Sequence, residues 1–107
     1  MLFMKRNFIA ESVSKVGEEV LLQGWVHVRR NLGKMVFIDL RDRTGLIQIV
    51  IPPSVDETSQ AAAKAMRPEF VVSVVGTVQK RKAGSENGKL ATGSVEILAL
   101  KVEIISE

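Results

Sequence analysis

Residues 35–51 read MVFIDLRDRTGLIQIVI, and the fold follows from this stretch. Val36, Ile38 and Leu40 alternate with Phe37, Asp39 and Arg41, which is the two-residue period of a half-buried strand. After Asp42-Arg43-Thr44-Gly45 the alternation resumes with Ile47, Ile49 and Ile51 on one face. Two such runs split by a short polar turn containing glycine predict a β-hairpin, with the second strand over Met35–Asp42 and the third over Leu46–Ile51.

Working outward, the same period governs most of the chain. Val20, Leu22, Gly24, Val26 and Val28 form one face of a first strand, with Gln23, Trp25, His27 and Arg29 on the other. Asn31-Leu32-Gly33-Lys34 turns this strand into the second. Pro52-Pro53 ends the third strand, and the pattern then changes. Ser54–Met66 carries Ala61-Ala62-Ala63 and Ala65, with Asp56 and Glu57 early and Lys64 and Arg67 late. That charge order suits a helix dipole, and Pro68 stops the helix. A fourth strand is expected over Glu69–Gln79, with Phe70, Val72, Val74, Gly76 and Val78 in phase. Ala83–Gly93, with three glycines and Asn87, reads as a loop. A fifth strand covers Ser94–Ile105, and its apolar phase slips from Val95 and Ile97 to Leu100, Val102 and Ile104, which predicts a β-bulge. One short helical turn is expected over Phe8–Val13. Three strands, a helix and two strands predict an all-β fold: a five-stranded Greek-key barrel of the OB type, with one helix between strands three and four. An SH3-like barrel is the alternative, and it normally lacks that helix.

The chain's 107 residues suffice for a single domain, and 46% hydrophobic content supports a packed core. There is no cysteine, so disulfides and thiolate metal sites are excluded. The N-terminal Met1-Leu2-Phe3-Met4-Lys5-Arg6 places its basic residues after the apolar ones, the reverse of a secretory signal, and no apolar run is long enough to span a bilayer as a helix. A cytoplasmic protein without membrane partners is the expectation. The net charge is +3 but unevenly placed. Between His27 and Arg43, five cations (Arg29, Arg30, Lys34, Arg41, Arg43) face only Asp39 and Asp42; between Gln79 and Lys89, Lys80, Arg81, Lys82 and Lys89 face only Glu86. Two basic windows point to a polyanion; solvated loop charge explains either one taken alone.

Phe37 is the most informative residue. Parity sets it outward among Asp39 and Arg41, as a platform on which an unpaired base can stack, although a covering loop would serve the ring equally well. Gln48 falls on the same face by hairpin geometry, and its amide can both donate to and accept from a base edge. Arg29 and Arg30 end the first strand, Arg30 with the inward parity, and Arg81 and Lys82 end the fourth. Guanidinium forks suit phosphates and base edges. OB barrels use the face of strands two and three together with the loops after strands one and four, where both windows fall. Trp25 is expected to pack against Phe8 or the N-terminal turn. His27 is the only histidine, the acidic residues form no carboxylate dyad, and no phosphate-binding or nucleophile motif is present, so the domain is expected not to be an enzyme and to hold no metal or cofactor.

The stretches Gly24-Trp25-Val26-His27, Arg29-Arg30-Asn31-Leu32-Gly33, Phe37-Ile38-Asp39-Leu40-Arg41-Asp42-Arg43-Thr44-Gly45 and Gln48, followed by Arg67-Pro68-Glu69-Phe70, Gly76-Thr77-Val78 and Leu90-Ala91-Thr92-Gly93 with Glu96, resemble the N-terminal anticodon-binding domain of bacterial-type aspartyl-tRNA synthetases. The resemblance runs from about Arg6 to Ile105. It implies that Phe37 stacks on the central anticodon base, that Arg30 and Gln48 contact anticodon bases with Leu32 beside them, and that Arg81, Asn87 and Glu96 belong to the region reading the flanking bases. Asn87 and Glu96 enter on the resemblance alone. Val28 stands where the family often has arginine, and Asn31 where it often has aspartate. The implied parent is a class II aspartate–tRNA ligase, a homodimer using ATP and magnesium, with its catalytic domain after this one. The implied partner is the anticodon loop of a transfer RNA. A general single-strand-binding barrel and a protein-interaction barrel remain as alternatives.

Overall fold

A computed structural model describes residues 5–107. The elements are a 3-10 helix, Ile9–Ser14; β1, Glu19–Leu32; β2, Met35–Asp42; β3, Gly45–Ile51; α1, Glu57–Ala65; β4, Val71–Lys80; and β5, Val95–Ser106. The strands close into a barrel in the order β1-β2-β3-β5-β4, with β4 returning to β1. All pairings are antiparallel except β3 with β5. This is the five-stranded barrel with one helix between β3 and β4 that the sequence predicts. No helix among the described residues is long and apolar enough to cross a membrane.

The alternation explains the core. Val20, Leu22, Val26, Ile38, Leu40, Ile47, Ile49, Val72, Val74, Val78, Ile97 and Ala99 all point inward and are buried. Caps close the two ends of the β2–β3 hairpin. At the open end, where Val36 pairs with Ile51, Ala63 of α1 and buried Met66 just after the helix join the core of the barrel. At the turn end, buried Ile9 reaches Gly45. Burial raises the affinity of the Asp42 carboxyl for its proton, but hydrogen bonds from the Thr44 hydroxyl and from the backbone N–H groups of Ile9, Thr44 and Gly45 outweigh it and hold the pKa below the usual carboxylate value. Asp42 thereby fastens the 3-10 helix to the β2–β3 turn through Ile9, and the Thr44 hydroxyl adds a bond from the Ala10 N–H.

Helix α1 is shorter than Ser54–Met66. Asp56 accepts from the Ser59 N–H and caps the helix at Glu57, while Met66 is already extended ahead of Arg67-Pro68. The fifth-strand bulge is present, because the β4–β5 register shifts between Val75 and Gly76. Its extra residue is Leu100, which is exposed instead of lying in phase with Val102. Strand β1 departs most from expectation. It continues to Leu32, only Gly33 and Lys34 form its turn, and a second bulge at His27 shifts the register between Val26 and Val28. From there on the faces exchange. Val28 leaves the inward set and pairs with Asp39, Arg29 pairs with Ile38, and Arg30 pairs with Phe37.

Candidate nucleic-acid interface

The bulge at His27 determines which arginine reaches the outer face. The inward parity expected of Arg30 is reversed: its side chain stands beside Phe37 on the outside of the barrel. Arg29 turns the other way, and its Nε and Nη2 donate to the Ala63 carbonyl at 3.1 and 3.0 Å. Near the end of α1, that carbonyl is one a helix leaves without an internal partner, and a cation there is favoured by the dipole. Arg29 therefore fastens β1 to α1 and stands away from the outer face.

Two rows cross the outer face side by side. Phe37, half-buried, continues through Val50, which is itself buried, to half-buried Leu98, giving an apolar strip. Beside it runs a polar row of Asp39, Gln48, Glu96 and Gln79, one from each of β2, β3, β5 and β4. Arg30 Nη1 lies 3.4 Å from Asp39 Oδ2, and Nη2 donates to Gln48 Oε1 at 3.2 Å. Gln48 Nε2 donates to Glu96 Oε1 at 2.9 Å, and Gln79 Nε2 donates to Glu96 Oε2 at 2.7 Å. The chain of bonds fixes the Gln48 amide with its oxygen toward the guanidinium and its nitrogen toward the carboxylate. An amide has two N–H donors and two acceptor lone pairs, so one of each remains free to face a ligand. Arg30 is exposed and keeps further N–H groups, and Asp39 and Glu96 are half-buried acceptors. An apolar strip with a ring, bordered by fixed donors and acceptors, matches what an unpaired base presents: a stacking surface and a polar edge.

The remaining expected residues sit around this face. Leu32 is 64% exposed at the tip of the β1–β2 hairpin. Arg81 directs its guanidinium to the Val95 and Ser85 carbonyls and braces the β4–β5 loop. Lys82 is exposed in that loop, where its carbonyl accepts from Ser85. Asn87 accepts from the Lys89 N–H through its side chain, and its backbone N–H donates to the Gly93 carbonyl. The structure thus brings Arg30, Phe37, Gln48 and Glu96 onto one face, places Leu32, Arg81, Lys82 and Asn87 in the flanking hairpin tip and loop, and separates Arg29 from both. Asp39 and Gln79 are the participants that sequence reasoning did not select. Strand parity alone gives Gln79 an outward position, but only the β4–β5 register sets it opposite Glu96. Trp25 and Phe8 line one cleft. Among the described residues no group of three or more His, Asp or Glu side chains could hold a metal ion.

The model of the tRNA anti-codon family, described as an OB-fold nucleic acid binding domain, matches residues 20–105. An aspartate–tRNA ligase from Geobacillus kaustophilus is 49% identical over 106 residues, which cover 97% of this chain and 18% of the relative. An aspartate–tRNA(Asp/Asn) ligase from Geobacillus sp. strain WCH70 is 45% identical, with 99% of this chain and 18% of the relative covered. This chain therefore spans under a fifth of the length of these two relatives. Among solved structures, the asparaginyl-tRNA synthetase from Pyrococcus horikoshii superposes with a TM-score of 0.79 at 28% identity, over 97% of this chain and 23% of the other. With the barrel order, the helix position and the family match over most of its length in agreement, the chain belongs to the tRNA anti-codon family of OB-fold nucleic acid binding domains.

Proposed function

We propose that this chain is the anticodon-reading domain of an aspartate–tRNA ligase, and that the outer face of β1, β2, β3 and β5 takes the unpaired anticodon bases of its transfer RNA. The observation that carries this reading is the bonded series Arg30–Gln48–Glu96–Gln79 beside the Phe37 ring. In it, Phe37 stacks on one base. Gln48 and Arg30 meet the edges of that base and a neighbour, and Glu96 accepts from a base donor while holding Gln48 in place. Leu32 at the hairpin tip and Arg81, Lys82 and Asn87 in the β4–β5 loop flank the bound loop. The similarity to ligases that carry the aspartate name supports the choice of transfer RNA. Aminoacylation, with ATP and magnesium, and dimer formation belong in this proposal to the longer parent protein.

Titration with an anticodon stem-loop carrying GUC, against the same hairpin with a scrambled loop, at two salt concentrations, tests the reading. We expect a preference for GUC and an affinity that falls as salt rises. Equal binding of both hairpins and of any single strand would identify a general single-strand binder, and no binding at low salt would remove the nucleic-acid role.

A further inference from the structure

Away from the base-reading face, a cleft of about 420 Å³ is lined by Arg6, Phe8, Gln23, Trp25, Arg43 and Ile105, among others. Its distinctive feature is a ring that two cations approach. The Arg6 guanidinium carbon lies 4.9 Å from the centre of the Phe8 ring, and that of Arg43 lies 4.5 Å from it. Arg6 Nη2 also donates to the Gln23 carbonyl at 2.8 Å. Neither guanidinium is within ion-pair distance of a carboxylate among the described residues. The carboxylate bordering the cleft, Asp42, has both oxygens occupied: Oδ2 accepts from the Ile9 N–H, and Oδ1 accepts from the Thr44 N–H and hydroxyl. Two guanidiniums are therefore set against an aromatic face, with the one carboxylate that lines the cleft, Asp42, bonded to the backbone and the Thr44 hydroxyl and in no ion pair with either of them among the described residues. That arrangement suits phosphate oxygens, which planar N–H forks recognise well.

The cleft lies at the turn end of the strand that carries Phe37, where Asp42 and Arg43 line it. Phe37, Asp39 and Arg41 succeed one another along the outside of β2, Arg41 pairs with Trp25, and Arg43 follows at the turn. The six-residue spacing, five of strand and one of turn, puts Arg43 at most about 20 Å from Phe37. A strand of RNA lying on Phe37 covers that distance within a few nucleotides. We propose that Arg6 and Arg43, steadied by Phe8, grip the phosphate backbone of the helical stem next to the bases read at Phe37. This rests on the RNA-binding proposal above and adds a second contact that reads no sequence.

The test compares the chain with its Arg43→Gln and Arg6→Gln variants. The probes are an anticodon stem-loop and the same loop sequence as a short linear strand without a stem. Each variant is expected to bind the stem-loop about threefold to tenfold more weakly at low salt. The slope of log affinity against log salt should shrink by about 1, while binding of the linear strand and the GUC preference stay as they were. Arg43→Lys, which keeps the charge but loses the planar fork, should recover part of the loss. Unchanged stem-loop affinity and slope would overturn the proposal, and is the result expected if a protein surface covers the cleft instead. Equal loss on both probes together with a lowered unfolding temperature would also overturn it, by assigning the cluster to stability. Loss of the GUC preference in the unsubstituted chain would instead count against the anticodon reading, and the salt slope on the same hairpin would still report on the cleft.

Discussion

Gln48 Nε2 donates to Glu96 Oε1 at 2.9 Å, joining the outer face across β3 and β5, the one parallel pair of the barrel. Because Gln79 holds the other Glu96 oxygen at 2.7 Å, the carboxylate cannot turn without breaking a bond, and the Gln48 amide is fixed through it. Gln79→Leu removes this hold without touching Phe37 or a basic residue. The GUC preference over a scrambled loop should fall about tenfold, the equivalent of roughly 1.4 kcal/mol. The salt slope and the unfolding temperature should stay near those of the parent chain. If discrimination survives in Gln79→Leu, Glu96 and Gln48 do not need the brace.

Phe37 is half-buried, with Arg30 beside it on one side and Val50 on the other. Its ring lies outside the buried set that fills the barrel. Phe37→Ala should weaken stem-loop binding by about 1–3 kcal/mol, the worth of one base stacked on an aromatic ring. Chemical denaturation should give a stability loss well below the roughly 3–5 kcal/mol that truncation of a core phenylalanine costs. A core-sized loss of stability would make Phe37 a packing residue and leave the face without its stacking platform.

The barrel was legible because inward and outward residues differ sharply in kind. Isoleucine, leucine and valine at every second position of β2 and β3 leave little choice of face, and Asp42-Arg43-Thr44-Gly45 marks the turn. The bulges at Leu100 in β5 and His27 in β1 show where such reading stops. In β5 the extra residue breaks the apolar phase, so the slip is visible in the sequence, and only the identity of the outward residue, Leu100, needed the structure. In β1 the bulge at His27 falls between two valines, so Val28 extends the inward pattern although it faces out. No residue type marks the exchange, and that is why Arg29 and Arg30 were read on each other's faces. Gln79 was out of reach for a related reason: parity places a side chain on a face, but its neighbours depend on strand register, which the long β4–β5 loop does not fix.

The pH dependence of stability follows from Asp42. Its pKa is lowered in the folded chain, so its contribution is complete above the ordinary value of 3.8 and is lost as pH falls through the lower native value. Asp56, also lowered because its carboxylate accepts from Ser59, acts in the same direction. Urea midpoints measured from pH 6 down to pH 2 should fall below about pH 4. The fall should be shallower in Asp42→Asn, which is also expected to be less stable at neutral pH because it weakens the anchor of the 3-10 helix. Parallel pH profiles for the two proteins would show that Asp42 does not carry the acid sensitivity.

Gly24 lies where β1 passes from pairing with β4 to pairing with β2, flanked by Gln23 opposite Ser73 and Trp25 opposite Arg41. It is buried, and a β-carbon there would run into the Arg41 carbonyl of β2. That obstacle is backbone held in a ladder, so it cannot turn aside as a flexible side chain would. Gly24→Ala adds a single methyl group, yet it should cost about 3 kcal/mol, at the upper end of overpacking effects. Because Arg41 continues into Asp42 and Arg43, the strain should reach the turn that anchors the 3-10 helix. Amide exchange at Ile9 and Thr44 should therefore quicken more than exchange at Gln79, at the end of β4 that lies beyond its ladder with β1. Gly76→Ala is the control: its β-carbon would meet the Ile97 side chain and the Leu98 carbonyl on β5, each at 2.6 Å, so a comparable loss of stability should appear with exchange quickened at β5 instead. A Gly24→Ala chain as stable as its parent would mean that β1 and β2 can separate at this point without loss, and that the close approach of their backbones is not what sets the path of β1.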